Sequence, residues 1–490
     1  MSRFSNLTEN RYTLSDIFIK NHEAWLLVPL FCYLLTPLIH LCVIPFTYVN
    51  EITEQQDILH LMGTGENPGD YYVSIIVGSF VLAAFFCLVA YISHIVYAGK
   101  THLNKTADNI PILLFALVAV LIVVSTAVNG GMQKARIFGL SSRGEGLISF
   151  FAYFFLFYLA ASFVRKDKLK YAVISVFLFT STVIGALYLV DFFITEIPFM
   201  GEQRSAIFYH PNFYAYYLTM AIMLSASLTV LCRGRAVRII SFLVMALNSV
   251  CLAINDSFGG FLACLVAFAF LIVAASIKNK KFSFSALVLL VAFLAINFVM
   301  GLFWPSFFSE LLKFGGDVSK IATSADDADS AGTYRWGLWV STAGYIREKP
   351  FIGWGFEGAV SKLLADRGQE KVHNEYLDYM ADFGIPAGLA YIGGLAAIFI
   401  KALKRRAKVS AATLCCLVTS LGYIGSAFFG NRMVFVTPFF FIFLGLANST
   451  EEPYEPLNDG EITETEEPEE TFAEDESEAQ AEENPVITAE

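Results

Sequence analysis

Stretches of about 20 apolar residues recur along this chain, each long enough to cross the ~30 Å hydrocarbon layer of a membrane as a helix. In lipid the backbone polar groups must bond within their own segment, so runs of this kind become helices. Twelve are read: 25–48, 72–98, 111–128, 146–164, 171–193, 213–232, 239–255, 260–277, 283–304, 386–403, 411–429 and 433–449. A hydrophobic content of 56 % and a mean hydropathy of +0.58 exclude a soluble globular domain. The expected fold is therefore all-α: a polytopic membrane protein of about 12 transmembrane helices with one large outer loop containing short helices. The expected order is an N-terminal segment 1–24, spans 1–9 over 25–304, the loop over 305–385, spans 10–12 over 386–449 and a tail from 450 to 490. No small-residue cleavage site follows a short apolar core near the N-terminus, so a removable signal peptide is not expected.

The formal charge of −11 conceals two different regions. Residues 451–490 hold 17 of the 44 acidic residues and no Lys or Arg, which leaves 33 basic against 27 acidic residues elsewhere. The tail is too acidic and too poor in aromatics to bury a core, so it is read as a disordered cytoplasmic extension. The basic residues sit in alternate loops: Lys100/Lys105, Arg165 to Lys170, Arg233/Arg235/Arg238, Lys278/Lys280/Lys281 and Lys401 to Lys408. The first loop of the opposite set, 49–71, has five acids and no base. Positive loops stay cytoplasmic. Both termini are thus expected inside, and the 305–385 loop outside.

The runs themselves carry little chemistry. Charges at mid-span mark ion or proton pathways, yet only His40 and His94 lie deep, with Asp191 and Asp256 near outer ends. The eight cysteines fall within or at the ends of spans and read as buried apolar side chains, with no disulfide framework or Cys metal site. Cytoplasmic loops of about five to ten residues leave no room for a phosphate-cradling Gly-rich loop. Asp327-Ala328-Asp329 is a lone DxD in a Ser/Ala/Asp-rich stretch, and no metal or other cofactor is expected.

Chemistry therefore concentrates in three outer segments. The first holds Arg136 and Arg143; anchoring at the interface explains them equally well. In the second, Arg204 precedes Tyr209-His210-Pro211-Asn212, where Pro and Asn suit a helix start. Arg204 stands in an otherwise acidic or apolar loop, and a guanidinium fork fits phosphate oxygens better than an ammonium does. The third is the large loop. A helical stripe places Trp336, Trp339, Ala343 and Ile346 together, with Arg335 at its edge. A second short helix is predicted over 373–383, stopped by Gly384, with His373, Leu377 and Met380 on one face and Glu375, Asp378 and Asp382 on the other. That pattern turns His373 toward an apolar or cavity-facing side, where a structural histidine is as natural as a functional one.

Read together, Arg204…Pro211-Asn212, Tyr334-Arg335-Trp336…Trp339, Pro350-Phe351-Ile352-Gly353-Trp354-Gly355 and His373-Asn374-Glu375-Tyr376-Leu377…Gly384-Ile385-Pro386 resemble the bacterial O-antigen ligase family. That family includes ligases of finished O-antigen and polymerases of O-antigen and capsule repeats. The likeness covers roughly 110–449. Where many relatives show Ser-Arg-Gly, this chain has Asp256-Ser257-Phe258-Gly259, so one Arg contact is absent there and Arg143 or Arg136 is the candidate substitute. The resemblance implies a metal-independent, inverting glycosyl transfer on the outer face of the bacterial cytoplasmic membrane, from a glycan on undecaprenyl pyrophosphate to an acceptor sugar. His373, Arg335 and Arg204 would be catalytic. Arg136, Arg143, Asn212, Tyr334, Trp336, Asn374 and Tyr376 would contact substrate, with stacking by Trp354 also open. The implied partners are the lipid-linked donor, the glycan acceptor, membrane lipids, and a chain-length regulator and flippase; nucleic acid is not among them. A polymerase is favoured over a ligase because nothing points to lipid A-core as acceptor. A flippase of lipid-linked sugars is the reading from another class.

Overall fold

The structure is a computed structural model that describes residues 27–28, 30–39, 109–130, 134–139, 145–194, 204–208, 210–303, 306–323, 327–405 and 408–449. The N-terminal segment, the run at 72–98, Arg143 and the acidic tail lie outside the described residues. Among the described residues all regular structure is helical. In chain order the helices are α1 Leu30–Ile39, α2 Ile110–Val128, α3 Lys134–Phe138, α4 Leu147–Phe163, α5 Asp167–Phe193, α6 Pro211–Leu231, α7 Arg235–Asn255 and α8 Phe258–Lys278. They continue as α9 Lys280–Phe303, α10 Ser306–Ala322, α11 Arg335–Glu348, α12 Val360–Arg367, α13 Glu375–Phe383, α14 Ile385–Lys404, α15 Ala411–Ala427 and α16 Thr437–Asn448.

Seven of these, α2, α5, α6, α7, α8, α9 and α14, are long and apolar enough to cross a membrane; α1, α4, α15 and α16 are apolar but shorter. The twelve runs read from sequence thus become seven span-length helices and four shorter apolar ones among the described residues. The last run differs most. Helix α16 starts only at Thr437, because residues 430–436 are irregular and carry Arg432 into the interior. The fifth run also begins earlier than predicted: Asp167 opens α5, where a carboxylate complements the helix N-terminus. Lys170 is consequently a buried first-turn residue whose ammonium donates to Thr413 Oγ1 at 2.6 Å, not a loop residue.

Helix α6 is apolar on nearly every side and is buried throughout, as such a helix must be. It packs against α7, α15, α8 and α5. Aromatic contacts knit this centre: Phe208 stacks on Tyr214 at 5.4 Å, Phe177 meets Tyr217 at 4.9 Å and Tyr216 meets Tyr423 at 4.9 Å. Helix α9 lies at the edge instead, exposing Phe284, Val291, Phe298 and Leu302.

Because successive long helices run antiparallel, the bundle has two chemically distinct ends. At one, Ser410 donates to Asp167, Lys278 donates to the Val409 carbonyl and Lys401 donates to the Asn448 carbonyl at 2.8 Å. These lysines sit at helix C-termini, where positive charge is favoured. The other end gathers the segments around residues 129, 145, 204, 256, 335, 373 and 432.

Candidate active site

Short helix α13 organises this second end. Asn374 caps it, its Oδ1 accepting from the backbone N–H of Tyr376 at 3.1 Å and of Leu377 at 3.0 Å. The helix therefore begins at Glu375, and His373 stands just outside it at a φ of +54°, a strained setting for a non-glycine residue. The two faces drawn from sequence exist, but the acidic one is the buried one: Glu375, Asp378 and Asp382 are almost wholly inaccessible.

What compensates those carboxylates is Arg432, a residue the sequence reading passed over. It is fully buried, with its guanidinium 2.9 Å from Asp382, 3.3 Å from Asp378 and 3.4 Å from Glu145. The rings of Tyr379, Phe383 and Phe356 lie 4.7, 5.2 and 5.5 Å from the guanidinium carbon. Burial pushes the Asp382 carboxyl up, Asp378 adds to it and Arg432 opposes it. Glu375 is held separately, accepting from Tyr391 at 2.7 Å and Tyr423 at 3.1 Å, and burial raises its carboxyl to about 7. The sequence did contain a signal: Arg432 is the sole charged residue between Lys408 and Glu451.

The Pro350–Gly355 motif serves as a backbone lock on α13. Trp354 N–H donates to Ala381 O at 3.0 Å, Gly355 N–H to Asp382 O at 2.7 Å and Ile385 N–H to Pro350 O at 2.7 Å. The strands of chain cross so closely that a Cβ on Gly353 would stand 2.4 Å from Asp382 O, and one on Gly384 2.4 Å from Phe351 O. Both glycines also have positive φ, so only glycine fits. Trp354 itself is engaged: its indole N–H donates to Tyr345 O, and the Lys349 and Lys362 ammonium groups each lie 4.1 Å from the ring centroid.

Beside this frame stand three basic side chains. Arg335 opens α11 after Gly332, Thr333 and Tyr334, three successive residues at φ of +62°, +58° and +68°. Its guanidinium makes no ion pair or side-chain hydrogen bond among the described residues, and burial holds its pKa below the usual arginine range, Tyr216 and Glu310 opposing. His210 caps α6, its Nδ1 accepting from Asn212 N–H at 3.1 Å. His373 donates its backbone N–H to Asn431 Oδ1 at 2.9 Å, while the Asn431 amide nitrogen lies 3.5 Å from His373 Nδ1. With Oδ1 already accepting, Asn431 presents a donor to Nδ1, which favours the tautomer protonated at Nε2.

The three are close enough to feel one another. Burial first, then Arg335 and His210, lower His373 to about 4, and burial with Arg335 lowers His210. At neutral pH both imidazoles are uncharged, next to an arginine without a counter-ion among the described residues. The Tyr216 hydroxyl, buried and without a hydrogen-bond partner among the described residues, belongs to the same neighbourhood, since it bears on the Arg335 charge. The sequence offers His210 only as the neighbour of the Pro211-Asn212 helix start; the structure makes it the cap of α6 and a member of the cluster.

The other candidates sit in more committed positions. Arg204 (φ +64°) pairs with Asp256 at 3.3 Å, and its carbonyl accepts from Asn255 at 2.8 Å. Asp256, just before Ser257-Phe258-Gly259, faces Arg204. Arg136 donates to Asn129 O at the end of α2 and packs on Gly130 and Gly355. Asn212 Oδ1 is 3.5 Å from Ser257 Oγ, and the Tyr376 hydroxyl donates to Ile424 O at 2.8 Å. Tyr334 is 67 % exposed. Trp336 meets Trp339 edge-on at 6.4 Å, and Trp339 meets Phe428 at 5.3 Å with its indole N–H unpaired. Asp327 and Asp329 pair with Lys320 at 2.6 Å and Arg367 at 2.8 Å, so the DxD carboxylates are already matched to cations. No group of three His, Cys, Asp or Glu suited to a metal occurs among the described residues.

No curated protein matches the chain. Residues 240–392 match the family described as O-antigen ligase, a stretch running from α7 into α14 that takes in Arg335, the 350–355 lock, His373 and all of α13. Residues 240–392 are thus similar to the O-antigen ligase domain, and they lie within a helical bundle whose span-length apolar helices indicate a membrane protein.

Proposed function

We propose that this protein is a membrane glycosyltransferase that polymerises undecaprenyl-pyrophosphate-linked oligosaccharide repeats on the outer face of the cytoplasmic membrane, with both termini inside. The observation that carries the reading is Arg335: a guanidinium held on a strained turn, unmatched by any carboxylate among the described residues, beside two neutral imidazoles. Such a cluster is preorganised for a polyanion, and a pyrophosphate leaving group develops negative charge where those donors converge.

In this reading the acceptor hydroxyl oxygen attacks the anomeric carbon from the face opposite the pyrophosphate. The new C–O bond forms as the bond to the phosphate oxygen breaks, that oxygen keeps the electron pair, and the configuration inverts. Arg335 neutralises the departing pyrophosphate. His373, positioned by Asn431, donates Nε2–H to the reacting oxygens, and the hydroxyl proton passes to the released pyrophosphate. Arg204, charge-matched by Asp256, serves as a second phosphate contact, with Tyr334 and Trp336 toward the sugars. Neither metal nor nucleotide is required, because the donor arrives already activated. Replacing His373 by Gln separates this role from general-base catalysis: a Gln amide retains the donor and some transfer, whereas loss of a base abolishes it.

Ligation of finished glycan to another acceptor uses the same donor and is the alternative reading. Translocation of lipid-linked sugars without chemistry is the second. Complementation of a polymerase-null strain by wild type, His373→Ala, Arg335→Ala and Arg204→Ala at equal membrane levels, with glycan resolved before and after release from the carrier, separates them. A ladder from wild type and single lipid-linked repeats from the variants support polymerisation. Long chains stranded on the carrier point to ligation, and normal polymer from all three variants overturns the catalytic assignment.

A further inference from the structure

Helix α10 is built inside out. On a helical projection Glu310, Lys313, Asp317 and Lys320 recur at i, i+3, i+7 and i+10 and form one stripe. Leu311, Phe314, Val318 and Ile321 form another, with Leu312 extending it. On a helix against a protein in water the apolar stripe faces inward. Here it is Asp317 and Lys320 of the charged stripe that turn toward the protein, while Lys313 stays exposed. Lys320 pairs with Asp327 at 2.6 Å, and Asp317 Oδ2 accepts the Gly332 backbone N–H at 2.8 Å, so both grip the segment that leads into Arg335. Glu310 pairs with Lys313 and is near enough to act on the Arg335 charge. The apolar stripe points out: Leu312 is 79 % exposed, Val318 50 % and Leu311 46 %, while Phe314 reaches back to the Phe258 ring at 5.5 Å.

This outward apolar arc continues the exposed flank of α9, where Phe298, Leu302 and Phe303 stand 55 %, 62 % and 71 % exposed on a helix long and apolar enough to span a membrane. We propose that α10 is an interfacial helix whose Leu311, Leu312 and Val318 dock into the outer-leaflet phospholipid, so that the membrane surface itself fixes the height of the turn carrying Arg335. The continuity with α9 selects phospholipid as the occupant, and the inverted amphipathicity supplies the reason: only an apolar surrounding makes the outward stripe favourable. The docking stands apart from the catalytic reading; its consequence for Arg335 rests on that reading.

The test places the photoreactive residue p-benzoylphenylalanine at position 312, 318 or 313 of the full chain in nanodiscs of phosphatidylethanolamine and phosphatidylglycerol. After irradiation, intact mass gives the adducts, and size exclusion confirms that each exposed-site variant remains folded. Phospholipid adducts at 312 and 318, with few at 313, are expected. No lipid adduct at 312 and 318, or cross-linking there to a second copy or to added polyprenyl phosphate in preference to phospholipid, overturns the proposal. Separately, Leu312→Asp with Val318→Asp should lower glycan transfer at least tenfold while a Leu312→Phe chain stays active. Lipid adducts with unaffected transfer would leave the docking standing and remove its link to Arg335.

Discussion

Replacing Arg432 by Met tests the frame on which the site is built. The guanidinium lies within 3.4 Å of three carboxylates and between aromatic rings, at no measurable solvent exposure. Methionine keeps much of the volume and contact with Tyr379, Phe383 and Phe356, so the loss is chiefly electrostatic. Removing one partner from a buried ionic group leaves its counter-charges uncompensated, at a cost of about 3–5 kcal/mol. The carboxyls limit that cost by taking up protons, each unit of raised pKa being worth ~1.36 kcal/mol. In the variant the Glu145 and Asp382 carboxyls, already raised by burial, rise further above their unfolded values. The folded state then binds more protons than the unfolded state, and stability falls as pH rises from about 4 toward the raised values. The deficit should therefore be larger at pH 8 than at pH 5.5. Equilibrium unfolding in mixed micelles, followed by the fluorescence of the five tryptophans, reads it directly. Adding Glu145→Gln, Asp378→Asn and Asp382→Asn to the Met variant should restore most of the loss. A deficit below about 1 kcal/mol, or one identical at the two pH values, refutes the claim that Arg432 holds α13 by charge.

Three further outcomes follow from the same geometry. Gly384→Ala forces a methyl toward Phe351 O at a φ of +87°, and should abolish a monodisperse folded peak, whereas Gly315→Ala, which meets nothing within 4 Å, should not. Asn374→Ala should cost about 1 kcal/mol through loss of the α13 cap, and Asn374→Ser should recover much of it; failure of Ser to recover stability contradicts a capping role. Pyrophosphate binding beside Arg335 should raise His373 from about 4, so binding takes up a proton between pH 4 and 6.5 and tightens as pH falls. Calorimetry in buffers of different ionisation enthalpy measures that uptake, which His373→Gln should remove.

The long helices were legible because a period-free apolar run of span length has few alternatives in lipid, and α2, α7 and α14 begin and end within a few residues of the predicted runs. What periodicity cannot supply is which face of a short helix meets the interior. Glu375, Asp378 and Asp382 share a face in any helix, yet that face is buried only because Arg432 arrives some 50 residues later in sequence. The same long-range arrival hid Asn431, which reaches His373 across 58 residues, and His210, whose helix-start role concealed its place beside Arg335. Asn374 shows the reverse: its position before a helical run is a local capping signal, and the structure uses it so. Asp256 was legible only as an acid near an outer end; the structure gives it Arg204 as its counter-charge across 52 residues.

The most direct measurement is single-turnover transfer by the purified protein in nanodiscs, from a synthetic undecaprenyl-pyrophosphate-linked repeat to a fluorescent lipid-linked acceptor. Wild type, Arg335→Gln and Arg335→Lys are compared at saturating donor. The account predicts a new glycosidic bond with inverted configuration, a loss of about 10²–10³-fold in rate for Gln and partial recovery for Lys. Transfer by Arg335→Gln at the wild-type rate, or movement of lipid-linked sugar across the bilayer with no bond formed, would contradict it.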